Sequence, residues 1–186
     1  MKNNLFGPFI LVITALCAGA AFNSAAAGIA SENQVLGIRL ATKVSAIVHR
    51  FGKPSKIEVP TAAELEASPE GQWFRWRLKD GIEFSVLGDE YSVTPNYGAG
   101  VRFIQYMTAG KSETKVVYGF KLNKTMRRDV ETKFIGRTQA CTGNYGAPYY
   151  DVLKLTENEQ FTYFFFSPSG LLIGVAQSTF DMDIAG

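Results

Sequence analysis

The chain has 186 residues, a formal net charge of +2, 46% hydrophobic residues and 13% aromatic residues. This apolar content excludes a disordered chain, because enough apolar surface is available for burial to offset the entropy cost of folding. The nearly balanced charge gives no clustered basic footprint, so a nucleic-acid partner is not expected.

The first 27 residues have the three parts of a secretory signal peptide. Lys2 precedes an apolar run at residues 10–13, and small residues end in Ala25–Ala27. We therefore expect cleavage after Ala27 and a periplasmic or secreted protein. The alternatives are an uncleaved anchor and lipid attachment at Cys17, although the bulky Leu16 argues against lipidation. Membrane contact, if any, is expected only through such an uncleaved or lipidated leader.

The mature chain opens with a phrase that predicts a strand and then a helix. Residues 35–40 are predicted as the strand, and Thr42 is a candidate helix cap. Apolar residues follow at steps of three and four and place one stripe along the helix: Val44, Ile47, Val48 and Phe51. Gly52 and Pro54 are expected to end this helix.

A strand at residues 56–59 and a polar loop lead to the clearest hairpin of the chain. Residues 72–89 alternate with the two-residue period of strands around an Asp80-Gly81 turn. We expect one face of the first hairpin strand to point to the core and the other to point outward. The core set is Phe74, Trp76 and Leu78, and the outward set is Trp73, Arg75 and Arg77.

The second half has a similar order of elements. A strand is predicted at residues 101–108, then a strand over 114–122, a helix over 124–134 and a Gly-rich loop around Cys141. Three strands follow at 149–155, 161–166 and 171–178, with a Ser-Pro-Ser-Gly turn at 167–170. The aromatic run of residues 161–166 is interpreted as core on both sides of a central strand, and the last residues as a frayed tail.

Two phrases lie 82 residues apart: "LGIRLATKVSAIVHRFGKP" and "YGFKLNKTMRRDVETKFIG". They resemble the β-lactamase-inhibitory-protein-like fold, which also includes the small outer-membrane assembly lipoproteins. The resemblance implies an α+β fold, a tandem repeat of a small helix plus an antiparallel meander sheet, with the helices on one sheet face. The expected organisation is one shared-core domain with units at 28–113 and 114–186. The chain lacks the disulfides of the tandem inhibitors, since only Cys141 remains after the leader.

Candidate catalytic and metal-binding residues are few. Cys141 and His49 are the one thiol and the one imidazole of the mature chain, so a thiol-dependent hydrolase would have to combine them. Cys141 lacks a following helix signal, and a lone His on a helix is more typical of a surface or boundary position. One His and one Cys are too few for a zinc site. We therefore expect no catalytic residues, no metal and no cofactor.

The outward sheet face carries the residue types that dominate protein interfaces, namely Trp, Tyr and Arg. The candidate binding residues are Trp73, Arg75, Arg77, Arg102, Tyr106, Tyr150 and Lys154. The favoured hypothesis is a non-enzymatic protein that binds another protein or a cell-envelope component through this face. The alternatives are the thiol hydrolase and a structural accessory of an envelope assembly. A further alternative is that the candidate residues are covered by a loop or simply solvated.

Overall fold

The computed structural model describes residues 34–67, 71–78, 82–89, 92–108, 116–141 and 151–182. The proposed leader, Cys17, the Asp80-Gly81 turn and Tyr150 lie outside these residues. The helices are α1 (Val44–Phe51), α2 (Ala62–Ala67) and α3 (Arg127–Lys133), and a 3₁₀ turn spans Val117–Gly119. The strands are β1 (Lys56–Glu58), β2 (Trp73–Arg77), β3 (Ile82–Gly88), β4 (Val101–Thr108), β5 (Thr138–Ala140), β6 (Asp151–Glu157), β7 (Gln160–Phe166) and β8 (Leu172–Ser178).

All eight strands belong to one antiparallel sheet with the order β1-β2-β3-β4-β8-β7-β6-β5. The predicted fold class, a tandem repeat of helix-plus-meander units, is therefore wrong. The helices are short, and β4 pairs directly with β8, so the sheet is continuous from one half of the chain to the other. In an antiparallel pair, the N–H and C=O groups of each strand form hydrogen bonds with the other strand. Strand β4 from the first half of the chain and β8 from the second half are therefore joined by one set of backbone hydrogen bonds.

The two repeated phrases nevertheless have the same backbone turns. Leu36 and Gly37 have φ values of 55° and 69°, and Tyr118 and Gly119 have values of 55° and 79°. The predicted strands at residues 35–40 and 114–122 are therefore wrong where the structure describes them, because left-handed residues turn the chain at both places. This correspondence holds for the turn and the helix that follows it, while the strands after both phrases form one sheet.

Helix α1 forms as its apolar spacing predicts. Val44 and Ile47 are buried, and the chain turns away at Gly52, where φ is 81°. Thr42 is not the cap: the helix begins after Lys43, which makes no side-chain capping hydrogen bond. Val44 is instead held by its backbone N–H, which donates to the carbonyl of Ala99. Backbone carbonyls from a distant part of the chain thus accept the free N–H groups of the first turn, and no capping side chain is needed.

One sheet face, here called the helix face, packs against α1 and α3. Its core is aromatic and aliphatic and includes Phe74, Trp76, Phe84, Ile104, Tyr106, Phe164, Phe166 and Val175 from the strands and Ile47 and Val130 from the helices. Trp76 stacks on Phe84 and donates its indole N–H to the carbonyl of Gly52 at 2.9 Å. The sequence prediction that Phe74, Trp76 and Leu78 face the core is confirmed.

The opposite face, here called the outer face, has its own apolar cluster. Buried members are Leu87, Phe103, Val152, Tyr163, Phe165 and Ala176. Residues 161–166 alternate between the two clusters, so the prediction that this aromatic run forms core on both sides is confirmed. The outer face is therefore not an open surface along its whole width.

Candidate functional site

The outer face divides into two halves at the β4–β8 pair. The N-terminal half is formed by β1 to β4, and the C-terminal half is formed by β5 to β8. One cross-strand row runs from Lys56 through Arg75 and Ser85 to Gln105 in the first half. It continues in the second half through Ala176, Tyr163 and Lys154. Cations and aromatic groups thus occur in both halves of the same face.

In the N-terminal half, the cationic side chains of β2 are exposed and held in place. The side chain of Arg75 is 46% exposed and that of Arg77 is 74% exposed. Arg75 donates from Nε and Nη2 to one Glu58 oxygen at 3.1 and 2.8 Å, and Arg77 Nε donates to Glu83 at 2.7 Å. Cross-strand ion pairs orient both guanidinium groups along the sheet while leaving them in contact with solvent.

Trp73 completes this group. It is half-buried, packs edge-to-face against Phe103 with the ring centroids 5.4 Å apart, and has the Arg75 guanidinium 5.7 Å from its own ring centroid. A cation over an indole ring is attracted by the ring quadrupole. Trp73 is therefore fixed on one side by the outer-face cluster and on the other by Arg75.

Glu58 is the shared anionic partner of Lys56 and Arg75. Hydrogen bonds from Lys56 and then from Arg75 lower the pKa of its carboxyl below the usual 4.5. The carboxylate therefore stays ionised in mildly acidic solution, so Arg75 keeps its partner there. A surface depression of about 110 Å³ lies beside these groups. It is lined by Ser55, Lys56, Arg75, Trp76, Arg77, Glu83 and Ser85.

In the C-terminal half, the corresponding polar groups are covered. The side chain of Lys154 is only 8% exposed and donates from Nζ to Asp181 at 2.8 Å, and Asp181 is itself 15% exposed. Tyr163 donates its hydroxyl hydrogen to the other Asp181 oxygen at 2.8 Å and accepts the Met182 N–H at 2.7 Å. Burial raises the pKa of the Tyr163 phenol above its usual value, and the hydrogen bond to Asp181 raises it further.

The covering segment is residues 179–182, which directly follow β8. The Thr179 N–H donates to the Arg102 carbonyl at 3.0 Å, and the Phe180 ring stacks on Phe103. The interpretation of residues 180–186 as a frayed tail is therefore wrong for residues 180–182. They fold back across the outer face and reach Lys154 and Tyr163.

Of the remaining candidate residues, Tyr106 is not on the expected face, whereas Arg102 stays on the outer face and is partly covered. Tyr106 is fully buried in the helix-face core and is not part of the outer face. Arg102 is half-buried, with its guanidinium 5.3 Å from the Phe180 ring centroid. The register steps from Leu87↔Phe103 to Gly88↔Val101, which leaves Arg102 in a bulge. A bulge inserts one residue and so breaks the simple alternation of faces.

The structure therefore brings together Trp73, Arg75 and Arg77 at an exposed site and places Lys154 under the C-terminal segment. Sequence reasoning missed Glu58 and Glu83, which orient the arginines, and Asp181, which covers Lys154. The sequence carried a signal for both glutamates. Glu83 alternates with the apolar Phe84 in a predicted strand, and Glu58 ends the predicted strand segment "KIE", so both could have been placed beside β2. Asp181 had no signal beyond its place beside Phe180.

Cys141 and His49 lie on opposite sides of the sheet. Cys141 packs against the outer-face cluster, and its N–H donates to the Val152 carbonyl at 3.0 Å. His49 is exposed on α1, which covers the helix face. With the sheet between them, these two side chains cannot form a nucleophile–base pair.

The part of the chain that the structure describes contains no group of three or more His, Cys, Asp or Glu side chains arranged to hold a metal ion. Within the same residues, no helix is long and apolar enough to cross a membrane.

Comparison with known proteins gives a likeness of fold. No family model matches the sequence, and no curated protein matches it. Among solved structures, the chain is similar to an extracellular protein containing a SCP domain from Bacillus anthracis, with a TM-score of 0.53 and 15% identity. The match covers 83% of this chain and 47% of that one, so this chain spans about half of that protein's length.

Two further structures are matched with lower TM-scores. A DUF4309 family protein from Bacillus subtilis has a TM-score of 0.47 and 11% identity, with 74% of this chain and 78% of that chain covered. A cysteine-rich secretory protein from Staphylococcus aureus has a TM-score of 0.46 and 6% identity, with 80% of this chain and 46% of that chain covered.

Proposed function

We propose that this chain is a secreted or periplasmic, non-enzymatic protein that binds another protein or a cell-envelope component. The binding surface is the exposed corner of the N-terminal half, formed by Trp73, Arg75 and Arg77 and named here the β2 corner. The observation that carries the proposal is that two solvent-exposed guanidinium groups are held beside a half-buried Trp by carboxylates of the neighbouring strands.

The composition of the β2 corner supports a binding role. Trp and Arg are enriched among the residues that contribute most to interface affinity, because they combine contact area with directed hydrogen bonds. Arg75 and Arg77 are oriented before any partner arrives, so less side-chain entropy is lost when one binds. The surface is narrower than the seven-residue face expected from the sequence, since Tyr106 and Lys154 are buried.

Two observations support the compartment. The first 27 residues have the pattern of a cleavable leader, and the B. anthracis protein of similar fold is described as extracellular. The proposed partner is accordingly a molecule that is present outside the cytoplasm.

The test is capture from the cell-envelope fraction with immobilised protein, followed by identification of the bound molecule. The double variant Trp73→Ala with Arg75→Ala is expected to lose this molecule. The matched control is Arg128→Ala, which removes an exposed arginine of α3 on the other side of the sheet. Thermal unfolding confirms that both variants fold. Equal capture by the double variant and the control would remove the β2 corner as the binding surface.

A second measurement addresses the non-enzymatic part of the proposal. Cys141→Ser should capture the same molecule with unchanged affinity and leave it chemically unmodified after prolonged incubation, as judged by mass spectrometry. Turnover of the captured molecule by the wild type but not by Cys141→Ser would instead establish a thiol-dependent enzyme.

A further inference from the structure

The helix layer differs in charge from the rest of the molecule, although the chain as a whole is nearly neutral. Helices α1 and α3 and the turns beside them occupy residues 34–55 and 121–137, and both helices pack on the helix face. These two segments contain ten Lys and Arg residues and two acidic residues, which gives a net formal charge of +8. The other described residues contain five Lys and Arg residues and nine acidic residues, which gives a net formal charge of −4. The exposed side of the helix layer is therefore strongly basic and is named here the basic side.

Most of this positive charge is exposed and has no carboxylate beside it. Nine of the ten cationic residues are exposed, and Arg127 is half-buried. Arg127 and Arg137 form ion pairs, whereas Arg50 and Lys133 donate to backbone carbonyls, which carry no net charge. Five others form no ion pair with any carboxylate of the described residues: Arg39, Lys43, Lys53, Lys121 and Arg128. The basic side can therefore attract an anionic partner.

The basic side extends across both helices. Helix α1 packs over β3 through Phe51 and Phe84, and α3 packs over β7 through Phe134 and Phe164. Strands β4 and β8 lie between β3 and β7, so three inter-strand steps of about 4.8 Å separate the two helices by roughly 14 Å. Positive charge that is spread over such a distance fits an extended anionic surface better than one small anion.

Two exposed apolar side chains accompany these cations. Ile135 is 79% exposed and lies at the tip of the turn after α3, with Lys133 and Arg137 two residues away on either side. Tyr97 borders the first turn of α1: its carbonyl accepts the Ser45 N–H at 2.7 Å, and its ring contacts the helix-face core and is partly exposed. A single exposed apolar residue is ordinary on a protein surface, so the significance of these two lies in their position among cations.

Cations that surround exposed apolar side chains match an anionic membrane surface. Lys and Arg are attracted to the headgroups of anionic lipids, and apolar or aromatic side chains enter the boundary between headgroups and acyl chains. A soluble polyanion such as duplex DNA offers phosphates to the cations but no acyl layer to Ile135. We propose that the basic side docks on an anionic phospholipid bilayer, with Ile135 and Tyr97 at the headgroup–acyl boundary. This contact does not use the leader, and it leaves the β2 corner on the side that points away from the bilayer.

The experiment measures co-sedimentation with lipid vesicles, and the protein is purified in the form that its own cell produces. The anionic vesicles contain equal parts of phosphatidylglycerol and phosphatidylcholine, and the neutral vesicles contain phosphatidylcholine alone. Binding to the anionic vesicles should be saturable and at least about tenfold tighter than to the neutral ones. It should disappear in about 1 M salt, where the Debye length falls to about 3 Å. An uncleaved leader would bind both kinds of vesicle, so the difference between them reports the basic side.

Three single variants remove one exposed cation each. Lys43→Gln beside α1 and Lys121→Gln beside α3 should each weaken binding to anionic vesicles about fivefold. Lys56→Gln is the matched control, because it removes an exposed cation from the outer face of β1, and it should bind as the wild type does. Thermal unfolding confirms that the variants fold.

A fourth variant, Ile135→Ser, separates a bilayer from a soluble polyanion. It keeps every charge and removes the apolar group, so it should weaken binding to the anionic vesicles. Duplex DNA is the polyanion probe in the same buffer and should bind more weakly than the anionic vesicles.

Three outcomes would overturn the proposal. The first is equal binding of the wild type to anionic and neutral vesicles. The second is equal binding of the anionic vesicles by Lys43→Gln, Lys121→Gln and the Lys56→Gln control. The third is binding of duplex DNA at least as tight as that of the anionic vesicles, together with unchanged vesicle binding by Ile135→Ser, because the basic side would then recognise phosphates without a membrane.

Discussion

The two halves of the outer face use similar residues in opposite environments. In the N-terminal half, Arg75 and Arg77 pair with carboxylates of neighbouring strands and remain in contact with water. In the C-terminal half, Lys154 pairs with Asp181 under the segment that follows β8. The difference shows that a cation on a sheet face stays in contact with solvent or becomes part of a buried pair according to what folds over it. Exposed pairs stabilise little, whereas a buried pair is costly to break.

The largest expected loss of stability comes from breaking the buried ion pair between Lys154 and Asp181. Asp181→Ala removes a carboxylate that accepts from both Lys154 and Tyr163, and it should cost about 3 kcal/mol of unfolding free energy because a buried cation loses this partner. The matched change in the other half, Glu58→Ala, removes a half-buried partner of the exposed Arg75 and should cost under about 1 kcal/mol. Urea unfolding at pH 7 measures both. Equal costs would mean that the two halves do not differ in this way.

The second effect concerns the boundary between the halves, where Met107 of β4 lies opposite Gly174 of β8. A Cβ on Gly174 would overlap Met107 Sδ and approach the Tyr106 carbonyl oxygen to 3.0 Å. Gly174→Ala should therefore cost about 1–3 kcal/mol through overpacking. In a Met107→Ala background the same change should cost less, since the overlapping side chain is gone. Additive costs in the double-mutant cycle would show that Met107 is not the obstacle.

The third effect is a loss of unfolding free energy at alkaline pH, which comes from Tyr163 in the C-terminal half of the outer face. Burial raises the pKa of Tyr163 above its ordinary value of 10.0, so the folded chain holds the phenol proton more firmly than the unfolded chain. This contribution is complete below pH 10 and is lost as the pH rises through the folded value. Unfolding free energies measured between pH 8 and pH 11 should fall less steeply for Tyr163→Phe than for the wild type. Parallel curves for the two proteins would contradict the assignment. Burial also raises the pKa of Tyr118, and this phenol contributes equally to both proteins.

The smallest expected effect is a change in the pKa of Glu58, in the N-terminal half of the outer face. Lys56 and Arg75 lower the pKa of Glu58, so its stabilising contribution is present above pH 4.5 and is lost as the pH falls through the folded value. Lys56→Met should raise this pKa toward 4.5, and Arg75→Ala should do so as well, although by less. NMR titration of the Glu58 carboxyl measures both shifts. An unchanged pKa in both variants would mean that solvent screens these pairs completely.

Helices α1 and α3 and the two faces of β2 follow from local sequence pattern, whereas α2 lies where a polar loop was predicted. The steps of three and four in Val44 and Ile47 predicted α1, and the alternation from Trp73 to Arg77 predicted both the β2 strand and its buried side. These predictions succeed because the periods of the helix and the strand are properties of the backbone and need no distant partner.

The failures have equally specific causes. Tyr106 was assigned to the outer face together with Arg102, but the bulge at Arg102 offsets the alternation by one residue, so the two side chains lie on different faces. The strand predicted at residues 35–40 fails because Leu36 and Gly37 adopt left-handed angles that hydrophobicity does not report. The separation of the repeat into two meander units fails because β4 pairs with β8.

The sequence by itself determined where α1, α3 and most strands form, which side of β2 is buried and that residues 161–166 serve both sides of the sheet. Only the tertiary structure decided that the strands make one sheet, that Lys154 is covered and that Arg75 and Arg77 stay exposed beside the half-buried Trp73. The physical reason is the range of the interactions. Periodicity acts over a few residues, whereas the contact of Asp181 with Lys154 joins positions 27 residues apart along the chain. A single sequence has no local signal for such a contact.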